Sequence, residues 1–213
     1  MIKNYVAHYL TAKRNENRRS RLRNTDFTII SQNCIGGVIY HNLGKQFSSP
    51  TINLWFKPND FLRLLENLPY YLTEATLVAD LAETARLGYP VGILDNDIKV
   101  YFQHYRDFQE AKAKWDERKH RVNYDNLFII MTDRDGCTLD MMQKFGKLSY
   151  KNKVILVGKS HPECSVALKL NRCLENNHLG NVFKGNLVTG KTKLDQFDYV
   201  TFLNDGKVQL NGK

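Results

Sequence analysis

A chain of 213 residues, 42% apolar and 25% charged, is long enough to bury one sizeable core and too ordinary in composition to be disordered or fibrous. No apolar run approaches the roughly 20 residues that a bilayer span requires. The basic N-terminus is not followed by the apolar segment and small-residue cleavage site of a secretory signal, so the cytoplasm is the expected setting. The net charge of +9 is uneven: residues 1–24 hold seven Lys or Arg against one Glu, and the rest holds twenty-four basic against twenty-one acidic residues. Charge this localised argues against nucleic acid as a partner of the whole domain. Cys34, Cys137, Cys164 and Cys173 are widely spaced, with neither C-x-x-C nor Cys/His spacing of a zinc site. Free thiols and no metal site are expected, and no motif names a cofactor.

Residues 1–24 read as a basic amphipathic arm and residues 25–213 as a single α/β domain. In the arm, Ile2, Tyr5, Val6, Tyr9 and Leu10 recur at helical spacing and make one apolar face, with the basic run after it. Such a helix docks on its own domain, lies at the periphery of an anionic membrane, where each basic side chain adds about 1 kcal/mol, or, as the least favoured reading, binds RNA. Phe27, Ile29 and Ile30 predict a strand, Ser31 to Gly37 a loop, and a helix follows. Thr51 to Phe56 predicts a second strand, and Pro58 opens a helix with Phe61, Leu62, Leu65 and Leu68 on one stripe. Tyr89 to Leu94 and Ile98 to Phe102 flank Asp95-Asn96-Asp97 as a hairpin.

Asp107 and Glu110 form a capping box that starts a helix running to about Val122, with Phe108, Ala111, Trp115 and Val122 inward. Arg118 falls in the same stripe, an odd place for a permanent cation. Asn126 to Met131 and Lys153 to Val157 predict buried strands separated by a helix over Thr138 to Leu148, and Tyr199 to Leu203 a last strand. Strands alternating with helices imply a layered α/β sheet of mixed direction.

Ligands of open α/β sheets sit at the carboxyl ends of strands, which places the candidate site at Asn33, Cys34, Gly36 and Gly37. The two glycines would let backbone N–H groups approach an anion at the N-terminus of the next helix, although the pattern is neither G-x-G-x-x-G nor a P-loop. Cys34 is a nucleophile if that helix lowers its pKa and an inert buried thiol if it does not. His104, at the end of a strand, is the candidate base or else a structural imidazole. The Asp133-Arg134-Asp135-Gly136 loop lies at another carboxyl end, where carboxylates could hold a cation or a sugar hydroxyl, or could simply form a turn. Arg118 and Arg121 could clamp a phosphate or carboxylate, or pair internally.

The stretch Phe27-Thr-Ile-Ile-Ser-Gln-Asn-Cys-Ile-Gly-Gly, with Ser49-Pro50-Thr51, Tyr89-Pro90-Val91-Gly92, His104-Tyr105, Trp115-Asp-Glu-Arg118, Arg121 and Asn126-Leu-Phe128, resembles the bacterial family named domain of unknown function nineteen-nineteen. The resemblance covers nearly the whole chain after residue 25. Its members are often labelled exopolysaccharide or capsular polysaccharide biosynthesis proteins. It implies a three-layer α/β/α sandwich with a mixed, mainly parallel sheet but no particular reaction; the function expected here is an enzyme of surface polysaccharide assembly, a transferase acting on a sugar or nucleotide-activated sugar. Tyr105 and Trp115, standing in these motifs, join the candidate ligand-binding set. More distantly, Asn33-Cys34 after a first strand is similar to polysaccharide acetyltransferases of Ser-Gly-Asn-His-hydrolase-like architecture, with Ile35 where that pattern has Gln. The alternative to an enzyme is a non-catalytic partner protein docking to a membrane or membrane enzyme through the arm.

Overall fold

The computed structural model describes the backbone of residues 2–212 and the side chains of residues 5–212. Ile2, counted in the predicted apolar face of the arm, therefore lies outside the described side chains.

Four strands form a parallel sheet: β1 (Thr28–Ser31), β5 (Leu127–Thr132), β6 (Asn152–Val157) and β7 (Ala167–Lys169), in the order β1-β5-β6-β7. Strict alternation sends Ile29, Phe128, Ile130, Val154 and Leu156 to one face and Ile30, Ile129, Met131, Ile155 and Val157 to the other. The first face is covered by α2 (Ile35–Leu43) and α8 (Tyr199–Asp205), through Ile35, Ile39, Tyr40, Val200 and Phe202. The second is covered by α3 (Pro58–Glu66), α4 (Leu68–Thr73), α6 (Phe108–Lys119) and α7 (Leu139–Lys147), through Phe61, Leu65, Trp115 and Phe145. Apolar layers on both faces make this an α/β fold with the sheet in the middle.

The antiparallel strands do not join that sheet. β2 (Leu77–Ala79), β3 (Val91–Leu94) and β4 (Ile98–Tyr101) form a sheet of their own, with α5 (Leu81–Leu87) between the first two. The β3–β4 hairpin pairs Leu94 with Ile98 and turns through the three residues Asp95, Asn96 and Asp97, with Asp95 and Asn96 at positive φ (46° and 57°), the left-handed backbone that a tight turn between twisted strands uses. A small ribbon of β8 (Leu174–Glu175) and β9 (His178–Leu179) completes the strands.

Two expected strands are not strands. Thr51 to Phe56 is irregular: the Thr51 N–H turns back to Ser49 Oγ (3.1 Å), Ile52 N–H bonds the Pro50 carbonyl (2.9 Å), and Asn53 sits at φ 61°. These local bonds compete with a ladder, and only Trp55 pairs, with Tyr101. The segment still joins the two sheets, because Phe56 N–H donates to the Gln32 carbonyl (2.9 Å) beyond β1 while Trp55 and Tyr101 exchange both backbone bonds (2.9 and 3.0 Å). Tyr199 to Leu203 is helical, not extended. The Asp198 carboxylate caps it by accepting from Thr201 N–H, Gly206 closes it in the left-handed conformation (φ 70°), and Tyr199, Val200, Phe202 and Leu203 share one buried face.

The arm is one helix, α1 (Ile2–Arg21). Its docking side is polar. Arg18 pairs with Asp195, both nearly buried, Arg21 with Asp198 (3.0 Å), and Arg23, just after the helix, with Asp205 (2.7 Å). Arg14 donates to the Thr189 carbonyl (2.9 Å) and Arg19 to that of Asn42 (3.1 Å). Tyr5, Val6 and Tyr9, by contrast, face outward, Tyr5 with 75% of its surface exposed. Half of the charge asymmetry noted in the sequence is therefore spent on the chain's own carboxylates. No described helix is long and apolar enough to cross a membrane.

Candidate functional site

The loops after β1 and β5 flank a cavity of about 480 Å³ at the carboxyl ends of the parallel strands. Its floor is a polar network. The buried Gln32 amide oxygen accepts from Thr132 N–H (2.9 Å) and from the Thr132 hydroxyl (3.0 Å), and its nitrogen donates to the Phe56 carbonyl (3.4 Å). Thr132 Oγ1 in turn accepts from the Asn33 amide (3.2 Å). Asn33, Thr132, Cys34 and Ile35 line one side. Trp55, Tyr89, Gln103 and His104 line another, and Arg134, Asp135, Asn181 and Phe183 the third.

The Trp55 indole stacks on the Tyr101 ring with centroids 4.0 Å apart and planes 13° from parallel. One of its faces is thus covered, and the half-buried remainder borders the cavity. Asp135 and Gly136 both sit at positive φ (59° and 85°), which turns the β5 loop sharply and lifts the exposed Asp135 carboxylate to the cavity rim.

A second cavity, about 510 Å³, adjoins the first and shares Cys34, His104 and Phe183 with it. Its other walls are Gly37, Val38, His41, Phe47 and Asn53.

Among the residues singled out from the sequence, Asn33, Cys34 and His104 come together on the cavity walls. Cys34 is half-buried. Burial pushes its thiol above the ordinary range, outweighing the opposing hydrogen bond from its own backbone N–H, so it is held as a thiol at neutral pH. Part of the expected amide cradle is occupied: Ile35 N–H donates to Asn33 Oδ1 (3.2 Å) and Gly36 N–H to Ser31 Oγ (3.2 Å). Gly36 serves packing, since a Cβ there would lie 2.6 Å from Ser31 Oγ. Gly37 lines the second cavity.

Asp133 is buried beneath the cavity, where its carboxylate accepts from Gly158 N–H (3.1 Å) and Leu179 N–H (2.7 Å). It ties the loops after β5 and β6 to strand β9. Trp115 is core, edge-on to Phe102 with centroids 6.5 Å apart. Arg118, only 8% exposed, donates to the Tyr105 hydroxyl (2.7 Å), which donates to the Ile52 carbonyl (2.9 Å). Its guanidinium also lies 5.1 Å from the Phe47 ring centroid. Arg121 donates to the Phe47 carbonyl (3.1 Å) and pairs with Glu117. Arg118, Tyr105 and Arg121 thus brace the 47–52 segment behind the second cavity.

The sequence pattern of the Domain of unknown function (DUF1919) matches residues 5–204. The chain belongs to that family. It is also similar to a protein of Haemophilus influenzae described as an uncharacterized protein, 41% identical over 190 residues that cover 89% of this chain and 90% of that one.

In this DUF1919 chain the cavity residues that sequence reasoning passed over include Trp55, Gln103, Thr132, Asn181 and Phe183. One signal was present. Ile52, Leu54 and Phe56 alternate inward, which turns Trp55 away from the core and toward whatever lies outside it. Asn181 and Phe183 lie on an irregular loop without periodicity, and nothing local marks them.

Proposed function

We propose that the chain is a transferase of surface-polysaccharide assembly that takes a sugar or nucleotide-activated sugar into the cavity at the carboxyl ends of β1 and β5. The observation that carries this reading is the make-up of the cavity: a backed indole facing amide, hydroxyl, carboxylate and guanidinium groups on Asn33, Gln103, Thr132, Arg134, Asp135 and Asn181. A sugar ring has apolar C–H faces and a hydroxyl edge, and an aromatic surface beside convergent polar groups suits both. Arg134 supplies the positive charge that a phosphate would need. His104, exposed on the wall, takes the proton from an attacking hydroxyl. Cys34, held as a thiol by burial, is a lining group in this scheme and not the nucleophile.

The rival, a non-catalytic partner held at a membrane through its arm, draws no support from Arg18, Arg21 and Arg23, which are paired with Asp195, Asp198 and Asp205. The test is nucleotide release from a panel of nucleotide sugars in the presence of capsular oligosaccharide acceptors. One donor is expected to turn over, with KM raised about tenfold in Trp55→Ala and kcat lowered by about 10²-fold or more in His104→Ala. Cys34→Ala should stay within a few-fold of wild type. Turnover that ignores both Trp55 and His104 would sink the reading.

A further inference from the structure

Resting on the saccharide reading of the polar cavity, we infer that the adjoining cavity receives a hydrocarbon chain, so that one substrate is a sugar carrying a lipid tail. The two cavities meet at Cys34, His104 and Phe183. A molecule lying across both would place the junction of its polar and apolar parts beside His104. Among the described residues the second cavity has no Lys, Arg, Asp or Glu on its walls; its titratable groups are Cys34, His41 and His104. Val38, Phe47 and Phe183 supply apolar surface open to solvent, and chemistry of this kind favours a chain over a headgroup.

The apolar wall is also rigid. The Phe47 ring is held edge-on to Tyr40, with centroids 6.0 Å apart, beneath the Arg118 guanidinium, and its carbonyl is bonded by Arg121 (3.1 Å). A wall fixed from behind by two arginines loses little side-chain entropy when it is covered. Gly37 lets α2 lie close against the 52–53 segment at the base of this wall, because a Cβ there would come 3.3 Å from Ile52 Cγ2. The arginines that the sequence offered as an anion clamp thereby become positioning residues for this wall.

The test is a binding series of n-alkyl β-glucosides, methyl to nonyl, and of the matching alkanols, all below micelle-forming concentrations. Each added methylene should tighten glucoside binding by about two- to fourfold, fourfold corresponding to full burial of a CH₂. Val38→Asp, at a half-buried position of α2 on the wall of the second cavity, should abolish that increment while leaving methyl glucoside affinity unchanged. Comparing octyl with geranyl glucoside assigns a linear or an isoprenoid chain to the cavity by whichever binds more tightly. Affinity independent of chain length in glucosides and alkanols alike would overturn the inference and leave the sugar site standing. Alkanols that bind as tightly as the glucosides of the same chain length would instead overturn the saccharide reading and leave the apolar cavity.

Discussion

Cys34 shows how a residue conspicuous in sequence can have a quiet role in the fold. It stands where a helix N-terminus could stabilise a thiolate, yet it is half-buried beside a segment whose Leu54 carbonyl lies 3.9 Å from its sulfur. Desolvation wins, and the thiol is raised. Because the reactive species is the thiolate, its fraction at neutral pH is below that of free cysteine and grows only as pH climbs past the ordinary thiol range. Iodoacetamide labelling followed by mass spectrometry should therefore be slower at Cys34 than in free cysteine at pH 7.5 and should accelerate above pH 9. Labelling at pH 7 as fast as free cysteine would restore the nucleophile. Arg118 was legible as an anomaly, a cation on an apolar stripe, but its role was not. Its aromatic partner Phe47 and its hydroxyl partner Tyr105 belong to other segments, and a pairing across 71 residues leaves no local trace.

Among the elements, β1, β5, β6 and α6 could be read from periodicity and a capping box because hydrophobic spacing and caps are local, whereas the three-residue β7 (Ala167–Lys169) is too short to show a period. Asp107 does cap α6, accepting from Glu110 N–H at 2.8 Å. α8 misled because Tyr, Val, Thr and Phe favour strands, whereas its caps, Asp198 and Gly206, outweigh that preference. Asp198 also links α8 to α1. Burial alone would raise its pKa, but hydrogen bonds from the Thr201 hydroxyl and N–H and from Gln209, with the charge of Arg21, together hold it below the usual carboxylate value. A depressed folded-state pKa stabilises the protein above the unfolded value near 3.8 and loses that contribution as pH falls through the folded value. Urea unfolding should show this loss below about pH 4 in the wild type and a flatter profile in Asp198→Asn, and identical profiles would refute the assignment. The docking of α1 grades in the same way. Arg18→Ala, which strands the nearly buried Asp195 carboxylate, should cost about 3 kcal/mol. Arg23→Ala, at an exposed pair, should cost under about 1 kcal/mol. Equal losses in the two variants would mean that α1 is held by something other than its buried ion pair.

At the scale of the molecule, the α/β class and the placing of a pocket at the carboxyl ends of the strands followed from alternation alone. The shape of that pocket did not, since it depends on where an irregular segment, residues 49–56, crosses from one sheet to the other. That crossing sets Trp55 against Tyr101 and aims it at the loops after β1 and β5. It also divides the site into a polar and an apolar chamber that meet at Cys34 and His104. The chain has two tryptophans, of which Trp115 is buried in the core and Trp55 borders the cavity. Tryptophan emission therefore reports on the site. Titrating a panel of sugars and nucleotide sugars while following that emission should give a saturable change with at least one of them, with the apparent Kd weakened about fivefold or more in Asp135→Asn. No saturable change with any of them, or a change that Asp135→Asn leaves untouched, would contradict a saccharide site at this cavity.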